Sequence, residues 1–119
     1  MMATRSGAID PGMVLYLLRS EKMSASDAED LLYHKSGLLR VSGISSDMRT
    51  LIASNDPRAQ DAIDRFCARV AEQTAAMITS VNGIDILVFT GGVGENSPEH
   101  TKKYLQALGM AGAKSRWQC

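Results

Sequence analysis

Aromatic residues are scarce in this sequence, and neither sign of charge is in excess. Phe, Trp and Tyr make up 5% of the 119 residues, too few for a surface that stacks exposed bases. Lys and Arg number 13, Asp and Glu also number 13, and the formal net charge is zero. Because no basic field would attract a polyanion, we expect no nucleic acid partner.

Cysteine and long apolar runs are also in short supply. The two cysteines, Cys67 and Cys119, form no C-x-x-C or Cys/His spacing, which argues against a zinc site or a disulfide framework. We expect Cys67 to be a small buried hydrophobic residue. No run of about 18 apolar residues is present, and the N-terminus lacks a signal-peptide pattern. We therefore expect a cytoplasmic protein with no membrane partner.

The sequence contains several signals that are typical of helix N-termini. Asp10-Pro11 and Asp56-Pro57 combine a capping side chain with a proline suited to the first turn, and Ser24-x-x-Asp27 resembles a capping box. They predict helices over 11–21, 25–35 and from 57 to about 81. A short helix capped by Ser46 or Asp47 should run to Ile52, whereas residues 38–44 look extended or loop-like.

Hydrophobic spacing predicts which helix faces are buried. Met13 and Leu17 should face inward on the first helix. On the longest helix, apolar or small residues recur at steps of three and four, which is typical of one buried face. The members of this face are Ile63, Phe66, Val70, Thr74, Met77 and Val81.

One segment predicts a strand. IDILVF, residues 84–89, is short and rich in branched residues, which favours a buried parallel strand. A glycine loop follows it, and Ser97-Pro98 predicts a last helix. Because one strand cannot make a sheet, the chain is expected to be a piece of an α/β protein whose other strands lie elsewhere.

The glycine loop TGGVGENSP admits two interpretations. Its backbone amides and the following helix N-terminus could surround a phosphate, or the glycines could serve a tight turn. The loop lacks the Gly-Lys-Ser/Thr of a Walker A motif and the third glycine of GxGxxG. The residues alone leave both interpretations open.

Two arginines are further candidates, each with a plain structural alternative. Arg5 in TRSG could neutralise charge on a transferring phosphoryl group, or it could be a surface cation. Asp47 and Arg49 in SSDMR could bind a ribose hydroxyl and a base or phosphate. Alternatively, Asp47 caps a helix and Arg49 is solvated.

Four separated blocks carry a resemblance to a known family. TRSGAIDPG, LLYHKSGLL, VSGISSDMR and ILVFTGGVGENSPE resemble, in order and rough spacing, the C-terminal part of the acetate kinase family, which includes propionate kinases. The resemblance covers residues 1–110, a partial C-terminal nucleotide-binding domain, and leaves 111–119 as an unrelated tail. It implies an α/β fold, a partial RNase-H-like domain of the actin, Hsp70 and sugar-kinase class, helix-rich with few strands.

The same resemblance implies a reaction and a site. ATP and acetate or propionate would give ADP and an acyl phosphate with Mg²⁺ as the metal, and the parent family would be homodimeric. Arg5 matches the arginine that stabilises the transition state, and no residue is assigned to the metal. The nucleotide would be contacted by Asp47, Met48, Arg49, Gly92, Val93, Gly94, Glu95 and Asn96.

The family's acyl-site residues have no counterpart in this sequence. We therefore expect the chain to be inactive as a kinase on its own. The alternative interpretation is a non-catalytic nucleotide-binding or dimerisation fragment of such an enzyme.

Overall fold

The computed structural model describes residues 2–90, and this part of the chain is built from α-helices. They are α1 (Pro11–Arg19), α2 (Ala25–His34), α3 (Gly37–Ser42), α4 (Met48–Ile52) and α5 (Pro57–Ser80). The chain divides into two compact units, Met1–Phe66 and Cys67–Cys119, with the boundary inside α5. None of the described helices combines the length and the apolar character needed to cross a membrane.

The predicted helix starts are confirmed at α1 and α2. The Asp10 carboxylate accepts a hydrogen bond from the backbone N–H of Gly12 at 2.6 Å, and Pro11 begins the helix. Ser24 Oγ accepts from the N–H of Asp27 at 3.1 Å and donates to its carboxylate at 2.6 Å. Each cap satisfies an amide that the first turn of a helix leaves without an internal partner.

Residues 38–44 were expected to be extended or loop-like, and this prediction is wrong for residues 38–42. Gly37–Ser42 form α3, which ends at Gly43 in the left-handed conformation, φ 64°. Ser36 makes no side-chain cap. The N–H groups of Leu38 and Leu39 instead donate to carbonyls of residues 2 and 3, so the helix is completed by a distant segment that local sequence does not reveal.

The longest helix agrees with its predicted span but only partly with its predicted face. Ile63 is buried, as is the neighbouring Cys67, which confirms the expectation for that cysteine. Met77 and Val81, predicted on the same face, are 61% and 63% exposed. Met13, predicted to face inward on α1, is also exposed, and α1 has no buried residue although it contacts α2.

The predicted strand at 84–89 is not formed in the described structure. These residues adopt neither helix nor strand, and Ile86 and Val88 are 79% and 72% exposed. A strand requires a neighbour to satisfy its backbone, and apolar sequence does not report whether one is available. The helix predicted from Pro98 lies outside the described residues.

The core of the first unit consists of aliphatic and small side chains from α2 to α5. Leu51 is completely buried, and so is the one buried polar residue of the described chain, Ser42. Alanines allow the backbones of neighbouring elements to approach closely. The other buried apolar residues of this unit are Ala28, Leu38, Met48, Ala59, Ala62 and Ile63. The helix-rich partial domain expected from the sequence is therefore what residues 2–90 form.

Candidate functional site

Residues 2–6, here called the N-terminal strap, lie across the junction between α2 and α3. The N–H of Ser6 donates to the carbonyl of Leu32 at 2.9 Å, and the N–H of Ser36 donates to the carbonyl of Thr4 at 2.8 Å. Thr4 Oγ1 donates to the carbonyl of Tyr33 at 2.9 Å. Leu38 and Leu39 donate to the strap carbonyls at 2.9 and 3.1 Å. The strap thus satisfies the last carbonyls of one helix and the first amides of the next.

Gly37 lets the strap approach the junction this closely. Its φ is 63°, a conformation that residues with a Cβ rarely adopt. A Cβ at this position would overlap the carbonyl oxygen of Met2 and lie 2.9 Å from those of Ala3 and Arg5. The glycine in the KSG sequence is therefore required both by backbone conformation and by space.

Arg5 is presented to solvent by this strap. Its guanidinium carbon lies 5.1 Å from the centre of the Tyr33 ring, within cation–π range. Both side chains line an open pocket of about 430 Å³. The remaining walls of the pocket are formed by Met2, Ser6, Gly7, Ile9 and Leu32.

This arrangement suits one kind of ligand. The pocket combines three aliphatic side chains with a single permanent cation. A guanidinium presents several N–H donors in a plane that matches the oxygens of phosphate or carboxylate. The pocket can therefore receive a small oxyanion that carries a short apolar group. The predicted catalytic role of Arg5 stays a prediction.

A second loop, residues 43–47, is organised by the buried hydroxyl of Ser42. Ser42 Oγ accepts from the N–H groups of Ile44 and Ser45 at 3.1 and 3.3 Å. It also lies 2.8 Å from the carbonyl of Leu38 and 3.2 Å from that of Ser45. Ser45 Oγ in turn accepts from the N–H of Asp47 at 3.0 Å. This network fixes the residue that starts α4.

Asp47 and Arg49 form a closed pair at that helix start. The Asp47 carboxylate accepts from the backbone N–H of Arg49 at 3.0 Å and from its Nε and Nη2 at 3.3 and 3.0 Å. These bonds from the Arg49 side chain, and secondarily from its backbone, hold the pKa of Asp47 below its ordinary value. The Arg49 side chain is nevertheless 88% exposed, so part of its guanidinium faces solvent.

The residue between them faces the opposite way. Met48 is buried, and its side chain belongs to the core of the first unit. Contact between Met48 and a nucleotide stays a prediction, as does contact by Asp47 and Arg49. The structure places Arg5 in the strap and Asp47–Arg49 at the start of α4, two separate segments of the first unit.

The same paired geometry recurs at Asp56 and Arg58, nine residues later. Asp56 accepts from the backbone N–H of Arg58 at 2.8 Å and from Arg58 Nε and Nη2 at 3.1 and 2.8 Å, at the start of α5. The Arg58 side-chain bond lowers the pKa of Asp56 to about 2. An Asp-x-Arg sequence at a helix start therefore forms this pair without a ligand. A role of Arg49 in ligand binding has to be tested by comparing Arg49 with Arg58.

The other predicted contacts cannot be placed in the same way. Gly92, Val93, Gly94, Glu95 and Asn96 lie outside the described residues. Within residues 2–90, no group of three or more His, Cys, Asp or Glu side chains is arranged to hold a metal ion. The described part of the candidate site thus consists of the Arg5 pocket and the Asp47–Arg49 pair.

Sequence reasoning missed three residues that build these features. Tyr33 lies in a matching block, but no role was predicted for it. Its ring contacts an arginine 28 positions away, and a contact over that distance leaves no periodic signal in the sequence. The hydroxyl of Ser42 was missed because serine is usually exposed. Gly37 lies in the matching block LLYHKSGLL, but its close contact with the strap leaves no local signal in the sequence.

Comparisons with known proteins agree with the resemblance. The model of the acetokinase family matches residues 1–117. An acetate kinase of Rhodopseudomonas palustris strain TIE-1 is 49% identical over 112 residues, covering 94% of this chain and 28% of that protein. An acetate kinase of Rickettsia akari is 55% identical over 114 residues, with coverages of 96% and 30%.

Solved structures give the same answer for the fold. A Porphyromonas gingivalis acetate kinase superposes with a TM-score of 0.83 at 38% identity, covering 94% of this chain and 29% of that one. A propionate kinase from Francisella tularensis gives 0.81 at 38% identity, with coverages of 91% and 29%. The chain spans less than a third of the length of these relatives. On this evidence the chain belongs to the acetokinase family, and its helix-rich fold is part of a domain of that family.

Proposed function

We propose that this chain supplies the phosphoryl- and nucleotide-contacting part of a short-chain carboxylate kinase. The reaction converts ATP and acetate or propionate into ADP and the corresponding acyl phosphate. The observation that carries the proposal is Arg5, whose backbone is held by the strap and whose side chain lines a pocket that suits a small oxyanion. Membership of the acetokinase family supports the substrate class.

Arg5 is proposed to act on the transferring phosphoryl group. A carboxylate oxygen of the acid forms a bond to the γ-phosphorus while the bond between that phosphorus and the leaving ADP oxygen breaks. The charge on the three remaining oxygens is stabilised by positioned cations. The anchored strap reduces the freedom of the Arg5 backbone, so its guanidinium can donate to these oxygens with little reorganisation.

Asp47 and Arg49 are proposed to bind the nucleotide. Asp47 holds Arg49 through two of its N–H groups, and a guanidinium carries five. The others remain available to a phosphate or a base. The glycine loop at Gly92–Asn96 is proposed to lie beside the adenosine. Mg²⁺, which would neutralise phosphate charge when bound, is assigned no ligand in this chain.

A second candidate function is a non-catalytic nucleotide-binding or dimerisation part of such an enzyme. The observation that favours it is coverage, because the chain matches only 28–30% of the length of its acetate kinase relatives. We propose on this basis that residues 1–110 are a partial nucleotide-binding domain. The separate tail at 111–119 stays a prediction, and the match of the family model to residue 117 counts against it.

Calorimetric titration with ATP tests the nucleotide role. Arg49→Ala should weaken binding about tenfold or more, since a hydrogen bond to a charged group contributes about 1.5–3 kcal/mol. Arg58→Ala is the matched control, because it removes the same type of Asp-x-Arg pair at another helix start. Equal affinities in all three proteins would remove Arg49 from the nucleotide site.

A coupled assay for acyl phosphate separates the two candidate functions. We expect the isolated chain to give no acetate-dependent ATP consumption, because it spans less than a third of the length of its acetate kinase relatives. Measured turnover would contradict this expectation and would establish the chain as a kinase in its own right. ATP binding without turnover would favour the non-catalytic alternative.

A further inference from the structure

We infer that Tyr33 is a positioning residue for Arg5, in that its ring fixes the direction in which the guanidinium faces the pocket. The inference rests on the proposed function for its consequence, the alignment of Arg5 with a phosphoryl group. Its geometric part stands on contacts within the first unit alone.

The first step is the ring contact. The Arg5 guanidinium carbon lies 5.1 Å from the Tyr33 ring centre, and both residues line the same pocket. Tyr33 occupies the last turn of α2, and 48% of it is exposed, so the ring forms a solvent-facing platform rather than part of the core. A guanidinium resting on such a platform keeps its in-plane N–H groups available for oxygens.

The second step is that backbone and side-chain anchoring are separate. Thr4 Oγ1 donates to the Tyr33 carbonyl, and the Ser6 N–H donates to the Leu32 carbonyl, so both neighbours of Arg5 are tied to the same helix end. These bonds use backbone atoms of α2 and do not need the Tyr33 ring. Removing the ring should therefore free the guanidinium while the strap stays attached.

The third step is the choice between ring and hydroxyl. A cation–π contact uses the face of the ring, which Phe provides and Leu does not. Phe at position 33 should consequently preserve the orientation of Arg5, whereas Leu should abolish it. If Tyr33 only filled space, Tyr33→Leu would leave the orientation of Arg5 unchanged, because Leu also covers the neighbouring apolar surface.

The experiment is proton–nitrogen NMR of the arginine Nε–Hε groups in the full 119-residue chain. The Arg5 signal should lie upfield of those of the exposed Arg19 and Arg40, because the ring current shields a group above the ring face. Tyr33→Phe should keep this displacement, and Tyr33→Leu should remove it. Tyr16→Leu is the matched control, since Tyr16 is 49% exposed on α1 and should leave Arg5 unchanged.

Backbone amide signals of Ser6 and Ser36 report whether the strap stays attached in each variant. An unshifted Arg5 signal in the native chain would overturn the inference. So would a signal that Tyr33→Leu leaves displaced. If Tyr33→Leu also detached the strap, Tyr33→Phe would decide: loss of the displacement in that variant would contradict a role for the ring face.

Titration with inorganic phosphate connects the orientation to function. Phosphate should perturb the Arg5 signal, and Tyr33→Leu should weaken that interaction about two- to fivefold, the size expected from an exposed cation–π contact. An Arg5 signal that is displaced by the ring but insensitive to phosphate would support the positioning and would count against the proposed phosphoryl role. The two failures are therefore distinguishable.

Discussion

Arg5 and Arg49 are both proposed to contact the nucleotide, yet they are held in opposite ways. Arg5 depends on a strap that crosses to residues 32–39 and on a ring 28 positions away. Arg49 is paired with a residue two positions before it. The first arginine is placed by tertiary structure, and the second by the local start of a helix.

This difference determines what each arginine tolerates. A change at the junction of α2 and α3 should displace Arg5 without touching Arg49. A change in the 42–47 loop should disturb Arg49 and leave the strap in place. Substitutions in the two regions can therefore show whether the two arginines form one ligand site or act independently.

The largest effect is expected from Gly37→Ala. A residue with a Cβ in the left-handed region costs about 1–2 kcal/mol, and the strap must also move away from the added methyl group. We expect a loss of about 3 kcal/mol or more in the free energy of unfolding, in the range of severe single substitutions. Urea denaturation of the chain measures it.

Gly43→Ala is the control for that prediction. Gly43 has nearly the same φ, 64°, but its nearest neighbour to an added Cβ is Arg58 Nη1 at an ordinary 3.7 Å. Gly43→Ala should lower the free energy of unfolding by only about 1–2 kcal/mol, the cost of the backbone strain. Equal losses at the two glycines would show that the strap does not press on Gly37.

Ser42→Ala should have the next largest effect, confined to the other region. Its hydroxyl is completely buried and is the acceptor for two backbone N–H groups. Leaving buried polar groups without partners costs about 1–3 kcal/mol. Ser54→Ala, which removes a half-buried hydroxyl accepting one N–H, should cost less. Amide signals of the strap should not move in either variant, and their movement would contradict independent regions.

The smallest effect is expected from the pH dependence of the Asp-x-Arg pairs. The pKa of Asp56 is lowered to about 2 by Arg58, so this pair stabilises the folded chain above about pH 4, the ordinary range of a free Asp. That contribution is lost as the pH falls toward 2. Carbon-detected NMR titration of the carboxylates should show that the pKa of Asp47 is also below its ordinary value.

Arg58→Ala should return the Asp56 midpoint toward the ordinary value, and Arg49→Ala should do the same for Asp47 only. A midpoint of Asp56 near 4 in the native chain would show that the pair is not held in solution. A change at both carboxylates from one substitution would show that the two helix starts are coupled.

The local parts of the fold were predictable from the sequence. Asp10, Ser24 and Asp47 are caps because their side chains satisfy amides within three residues, and such short-range bonds leave a residue pattern. The long helix was predictable because its spacing extends over 24 residues. The cap formed by Asp47 was one of two alternatives for that residue, whereas its ion pair with Arg49 was not predicted.

The parts that failed depend on distant partners. Residues 37–42 become helical because the strap supplies acceptors for their amides, and residues 84–89 form no strand within the described structure although their sequence is apolar. Met77 and Val81 belong to the face predicted to be buried but are mostly exposed in the described structure. A pattern reports which surface is apolar, and not what will cover it.

Four of the five hydrogen bonds that hold the strap join main chain to main chain. An attachment of this kind makes few demands on the identity of the attached amino acids. Met2 and Ala3 could be exchanged widely in a randomised library while the segment kept its path, whereas Gly37 beneath them could not. At this junction the main chain provides the attachment. The side chain at position 5 is not needed for it and can be selected for its chemistry alone.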